Sequence, residues 1–274
     1  MPPARDRRGT LVVCPTPIGN LEDVTLRVLR ELGEADLVLC EDTRRTRVLL
    51  ERHGVEARLA SFHRHNEAAR TVEILPRLEA GERIAVASDA GLPGVNDPGA
   101  RLVAAAVERG LPVTVLPGPS AVETALVASG LVGERYTFVG YLPRRREALA
   151  RLWDELPPGG PTVAFESPRR LPASLASLAE HDPERPVAVC RELTKRFEEV
   201  VRGPAARLAG RFATPPKGEV TLVIGPPAER PGDEAAALVA VAELVGSGTS
   251  RRQAVDVVAR LTGVPRNRLY RESL

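Results

Sequence analysis

At 274 residues, with 43% apolar and 27% charged side chains, the chain can build one large or two ordinary folded domains, and its composition excludes a disordered protein. The formal net charge of +2 is too small to mark a nucleic-acid binder by itself, and no apolar run approaches membrane-spanning length. Lys195 and Lys217 are the only lysines, so nearly every positive charge is an arginine, whose planar fork can pair two phosphate oxygens.

The basic stretch from Met1 to Arg8 precedes an apolar run, Leu11 to Cys14, too short for a signal-peptide core. Thr10 to Cys14 is predicted as the first strand, ending in the loop Pro15 to Asn20. Thr25 to Leu32 has helical spacing, with Leu26, Leu29 and Leu32 on one face. Asp36 to Cys40 reads as a second strand, and Glu41-Asp42-Thr43-Arg44-Arg45 follows it. Two acids then two arginines at a strand end point either to a ligand or to helix capping by Asp42 or Thr43. Ala57 to Phe62 is a third, short strand, followed by His63-Arg64-His65-Asn66-Glu67 and a helix to Ala80. Histidines at i and i+2 invite a metal, but no matching ligand spacing completes a site. A polar loop reaching substrate, or an N-cap at Asn66, fits better.

Arg83 to Ala87 is the next strand, and Ser88 to Gly99 leaves its carboxyl end ahead of a helix over Ala100 to Arg109. Ligands bind at such strand ends in parallel α/β sheets. Its glycines and prolines suit a fixed, irregular backbone brought close to a ligand; the alternative is an ordinary tight connection. Val113 to Leu116 is a strand ending in Pro117-Gly118-Pro119-Ser120-Ala121. Alternation of strands and helices predicts a doubly wound parallel α/β domain over 1–130. Tyr136 to Tyr141 leads into Leu142-Pro143-Arg144-Arg145-Arg146, where three positive charges at a helix start oppose the dipole and favour an anionic partner. Thr162 to Phe165, Pro186 to Cys190 and Glu219 to Ile224 complete a second α/β domain over 131–226. A linker follows over 226–233, then helical patterns at Glu234 to Val245, Arg251 to Leu261 and Pro265 to Glu272. Residues 250–274 carry six arginines against Asp256 and Glu272, and the last two helices suggest a helix-turn-helix. That segment either contacts nucleic acid or packs on the body with a solvated face. Cys14, Cys40 and Cys190 share no metal-ligand spacing and read as buried reduced thiols of a cytoplasmic protein.

Taken in order, these loops resemble the tetrapyrrole methylase superfamily, and within it a branch that methylates ribosomal RNA. The matching segments are Pro15 to Asn20, Glu41 to Arg44, Phe62 to Glu67, Ser88 to Gly91, Asp97 to Gly99, Pro117 to Ala121, Phe165 to Arg170 and Lys217 to Glu219. The resemblance implies two α/β domains with a cleft for S-adenosyl-L-methionine between them, a homodimer, and a small C-terminal helical extension. It assigns the cofactor to Pro15, Gly19, Asp89, Ala90, Gly91, Val95, Pro117, Gly118, Ser120 and Ala121, closed by Leu142, Phe165 and Gly218 from the second domain. Substrate positioning falls to Glu41, Asp42, Arg44, His63, Asn66, Glu67, Arg144, Arg145, Arg146 and Arg169, and a general base to Glu166 or Asp89. The implied reaction is 2′-O-methylation of a cytidine in small-subunit ribosomal RNA, free or in the assembled subunit, with no metal. Two rivals remain: a methylase of a tetrapyrrole or modified protein residue, and a non-catalytic nucleic-acid binder.

Overall fold

The computed structural model describes residues 9–227 and 234–273, in which two five-stranded sheets follow one another along the chain. β1 (Thr10–Cys14), β2 (Leu37–Cys40), β3 (Leu59–Ser61), β4 (Arg83–Ala87) and β5 (Val113–Val115) pair in the order β3-β2-β4-β1-β5, all parallel. Successive strand residues point to opposite faces, so each strand feeds two cores. Val12, Val38, Cys40 and Ala85 meet Val28 and Leu32 of α1 (Leu26–Glu34) and Leu50 of α2 (Thr43–Arg52). Leu11, Leu39, Ile84 and Val86 meet Ile74 and Leu78 of α3 (Glu67–Glu79) and Leu102 of α4 (Ala100–Glu108). Thr25 caps α1 by accepting the Val28 N–H at 3.1 Å, which fixes where that helix starts.

The last helix of this lobe behaves differently. α5 (Ala121–Ser129) lays Val122, Ala125 and Leu126 on Val163, Ala188, Cys190 and Val223 of the second sheet. That sheet comprises β6 (Thr137–Tyr141), β7 (Thr162–Glu166), β8 (Pro186–Arg191), β9 (Glu199–Pro204) and β10 (Val220–Ile224) in the order β6-β7-β10-β8-β9. Only β6 and β7 run parallel; the remaining pairs are antiparallel. Its other face is covered by α6 (Arg146–Asp154), α7 (Leu171–His181) and α8 (Ala205–Arg211), through Trp153, Leu171, Leu175 and Leu208. β9 and α8 go beyond the sequence reading, which passed from Arg196 to Lys217 without an element.

α9 (Glu234–Gly246), α10 (Arg251–Thr262) and α11 (Arg266–Glu272) enclose a separate small core of Ala237, Val241, Val255, Val258 and Leu269. Gly263, at φ 72°, closes α10 in the left-handed conformation, so the turn into α11 is set by the glycine. The linker expected over 226–233 lies, from residue 228, outside the described residues. All three cysteines are buried and unpaired, and burial pushes the Cys14 and Cys190 thiols up to about 12, so both stay protonated. Among the described residues no helix is long and apolar enough to cross a membrane.

Candidate active site

The loop after β4 is held from three other strand ends. Thr16, after β1, exchanges backbone hydrogen bonds with Gly91, each 2.9 Å, and its hydroxyl donates to the Ser88 carbonyl at 2.9 Å. The Asp89 carboxylate accepts the Asp42 N–H at 2.9 Å and faces the Arg45 guanidinium at 3.5 Å, both beyond β2. Glu67, beyond β3, accepts the Gly99 N–H at 2.9 Å. Gly91 sits at φ 81°, a conformation open to glycine and costly to any residue with a Cβ. The loop is therefore a fixed shelf, not a mobile connection.

Above this shelf lies a cavity of about 870 Å³, within the range of small-molecule sites. Asp89, Ala90, Gly91, Val95, Pro117, Gly118, Ser120 and Ala121 line it from the first lobe. Phe138, Tyr141, Phe165, Glu166, Leu193 and Thr221 line it from the second. Asp89, Ser120 and Phe165 thus share one space. The two walls meet where β6 carries an irregularity between Phe138 and Tyr141. There Gly140, at φ 69°, admits the Asn96 side chain; a Cβ would stand 2.9 Å from Asn96 Oδ1.

This geometry has counterparts among known proteins. Residues 10–209 match the Tetrapyrrole (Corrin/Porphyrin) Methylases family. The chain belongs to that methylase family. A relative from Mesorhizobium japonicum named Ribosomal RNA small subunit methyltransferase I is 41% identical, spanning 99% of this chain and 94% of its own. A relative of the same name from Thermotoga maritima is 43% identical, spanning 79% of this chain and 98% of its own. Among solved structures, a uroporphyrin-III C-methyl transferase from Thermus thermophilus complexed with S-adenyl homocysteine superposes with a TM-score of 0.55 at 18% identity, over 79% of this chain and 97% of its own, a likeness of fold.

Within the methylase fold, four residues expected at the cofactor sit behind the cavity lining. Pro15 is buried beneath Gly118, where a Cβ would come within 2.4 Å of the proline ring. Gly19 lies against Lys195 and Thr194, and the Asn20 N–H donates to the Thr194 hydroxyl at 3.0 Å, joining the lobes. Leu142 is buried in the second core and donates its N–H to the Phe165 carbonyl at 3.0 Å. Gly218, at φ 94°, packs on Glu192, while its neighbour Glu219 reaches the lining.

The residues expected to position substrate stand outside the lining, and several brace it. Asp42 caps α2 through the Arg44 N–H at 2.9 Å, and the Arg44 guanidinium forks onto both its oxygens at 3.0 and 2.8 Å. That fork holds the Asp42 carboxyl well below the usual carboxylate range. Asn66 stands at the N-cap position of α3, as expected, but makes no side-chain cap bond; its side chain instead accepts the His63 N–H at 2.7 Å and shapes the preceding turn. Arg144, Arg145, Arg146 and Arg169 are exposed at the starts of α6 and α7, with Arg146 3.5 Å from Glu180. Among the described residues no group of three or more His, Cys, Asp or Glu side chains is arranged to hold a metal ion.

Of the two candidate bases, Glu166 is committed elsewhere. Its buried carboxylate accepts from the Ser167 N–H at 2.6 Å, the Ser174 hydroxyl at 2.5 Å and the Arg170 guanidinium at 2.9 Å. Arg170 also donates to the Leu142 and Pro143 carbonyls, so this knot ties β7 to the end of β6. The sequence reading missed Glu123, Tyr136, Phe138, Tyr141, Leu193 and Thr221 in the lining. Tyr141 had a signal, because it ends β6 immediately before the expected Leu142.

Proposed function

We propose that this protein transfers a methyl group from S-adenosyl-L-methionine to the ribose 2′-hydroxyl of a cytidine in small-subunit ribosomal RNA. Methyl transfer to that RNA is the activity named for relatives about 40% identical over nearly the full chain. The observation that carries the whole is the two-lobed cavity, walled by the strand-end loops and α5 of one lobe and by aromatic rings of the other.

The lining suits the methyl donor. Ile18, Val122 and Leu193 offer an apolar bed for adenine, and the Glu123 carboxylate, 2.7 Å from the Tyr136 hydroxyl, is placed for polar groups of a nucleoside. The shelf at Ala90–Gly91 presents backbone amides and carbonyls. A bound sulfonium supplies an electrophilic methyl, so the protein mainly has to orient the acceptor and exclude water. Phe165 holds Phe138 and Tyr141 edge-on, at centroid distances of 5.1 and 5.5 Å, and Tyr141 is 63% exposed at the rim. An exposed ring there offers one base a stacking surface.

Exposed arginines at 44, 144, 145, 146 and 169 form the electrostatic track for RNA phosphates, together with the basic C-terminal helices. Val115 on the edge strand β5 and Val127 on α5 are 54% and 70% exposed, apolar surface that a homodimer would cover. Cytoplasmic location follows from the proposed substrate. The direct test incubates unmodified small subunits with label-bearing methyl donor and analyses the ribonucleosides by mass spectrometry. A 2′-O-methylcytidine is expected; label on a base ring would overturn the ribose assignment, and label absent from the RNA would overturn the substrate. Sedimentation velocity across a dilution series tests the dimer.

A further inference from the structure

The loop joining β8 to β9, residues 192–198, puts Leu193 in the cavity lining and then runs to an exposed tip at Arg196, Phe197 and Glu198. Its shape is imposed. Glu192 and Thr194 sit in the left-handed region at φ 51° and 64°, costly for any residue with a Cβ and more so for a β-branched one. Such a backbone persists only where its surroundings over-determine it. Here the Thr194 hydroxyl accepts the Asn20 N–H of the first lobe at 3.0 Å, and the Thr194 N–H donates to Glu198 at 2.6 Å. The Lys195 ammonium donates to Glu192 and to Glu219, each at 2.9 Å, and Glu219 itself lines the cavity. The tip is therefore held in a fixed place beside the site.

That tip carries an aromatic ring in water. Phe197 is 65% exposed, and the Arg196 guanidinium stands over its ring, 5.5 Å from the centroid. Of the five phenylalanines, Phe62 and Phe212 are buried and Phe138 and Phe165 half-buried, so Phe197 is the one left to solvent. A lone exposed ring is ordinary, and the charges around it decide what this one suits. The neighbouring carboxylates are committed within the protein: Glu192 and Glu219 to Lys195, Glu198 to the Thr194 N–H, and Glu199 to Arg191 and Arg211. Among the described residues Arg196 has no ion pair, nor has the exposed Lys217, whose carbonyl accepts from Arg191 at 3.0 Å. The surplus charge is positive and stands beside a rigidly held ring.

We propose that Phe197 stacks an unpaired nucleobase of the RNA next to the target nucleotide, while the Arg196 guanidinium pairs with the adjoining phosphate. This rests on the ribosomal-RNA reading. The guanidinium covers one face of the ring, and the base takes the other. Stacking on a ring accepts any base, so the contact sets register along the strand: Tyr141 at the rim meets the reacting nucleotide, and Phe197 fixes its neighbour. A second copy of this chain fits the tip poorly, because Arg196 and Glu198 on either side of Phe197 are both charged and exposed.

The test uses the full chain, F197L and F197Y, with unmodified small subunits as acceptor. F197L keeps apolar bulk without an aromatic face, and should raise KM for the subunits about 5–150-fold with kcat unchanged, the loss of one stacked base. F197Y should restore the wild-type KM. Calorimetric affinity for S-adenosyl-L-methionine and melting temperature stay at their wild-type values in both variants. Ultraviolet irradiation of the wild-type complex should attach a nucleotide to the peptide carrying Phe197, read by mass spectrometry, and should not do so in F197L. A wild-type KM in F197L, or a wild-type peptide free of nucleotide, would overturn the proposal. So would a raised KM accompanied by a lower sedimentation coefficient, which would make the ring a contact between copies. A raised KM matched by equal loss of cofactor affinity would make it a prop for the cavity and would overturn the proposal as well. If wild type transfers no methyl group to RNA, the reading beneath fails and takes the proposal with it, an outcome visible in the wild-type arm alone.

Discussion

The two walls of the cavity are made from different materials. The first lobe contributes tight strand-end loops, Ala90, Gly91, Pro117 and Gly118 among them, with Gly91 at φ 81° and Gly118 pressed on Pro15. The second contributes side chains: Phe138, Tyr141 and Phe165 in mutual edge contact, with Leu193 and Thr221 beside them. Such a wall tolerates little substitution, because a Cβ at Gly118 would run into Pro15 and Gly91 holds a φ that residues with a Cβ rarely adopt. A side-chain wall can be trimmed atom by atom. The difference yields a graded set of expectations.

The largest effect is expected where the second wall is anchored. Glu166→Ala leaves the Ser174 hydroxyl, the Ser167 N–H and the Arg170 guanidinium without their shared acceptor, which should cost about 3 kcal/mol in denaturant unfolding. A loss under about 1 kcal/mol would show that the knot is not holding β7 to β6. Next comes Gly118→Val, which drives a side chain into Pro15; overpacking of about 2 kcal/mol should lower cofactor affinity roughly 30-fold by calorimetry. Phe165→Leu should cost less, about fivefold in affinity, since neighbouring rings can close in. If the leucine variant binds worse than the valine variant, the contrast between the walls is wrong. Reversing Arg144, Arg145 and Arg146 to glutamate should leave cofactor affinity unchanged. It should weaken RNA binding and flatten its salt dependence by about 0.7 for each phosphate no longer neutralised.

The same contrast explains what could be read from the sequence. Ser88 to Gly99 and Pro117 to Ala121 stood out because backbone constraints leave their mark as glycine and proline, and eight of the residues expected there line the cavity. The second wall left less. Tyr136 and Phe138 look like any strand residues, and their meeting with Phe165 depends on β6 lying beside β7. β9 was illegible for a related reason: Glu199–Pro204 is a half-buried edge strand with Gly203 and Pro204 inside it, and an edge tolerates what an interior strand does not. α8 is only seven residues long and announces itself by packing, not by period. The placing of α5 against the second sheet was equally hidden, since its apolar face fits either lobe.

Polar and charged residues were the hardest to interpret. Asp42, Asn66 and Glu67 looked ready for substrate, yet each holds a turn or the central loop in place.

The central claim is that both lobes grip one methyl donor. Backbone hydrogen exchange with and without S-adenosyl-L-methionine tests it most directly. Slowing at Ala90–Gly91, Ser120–Ala121 and Phe165 together, at a single half-saturating concentration, is the predicted result. Slowing confined to one lobe, or saturating at different concentrations in the two, would contradict it.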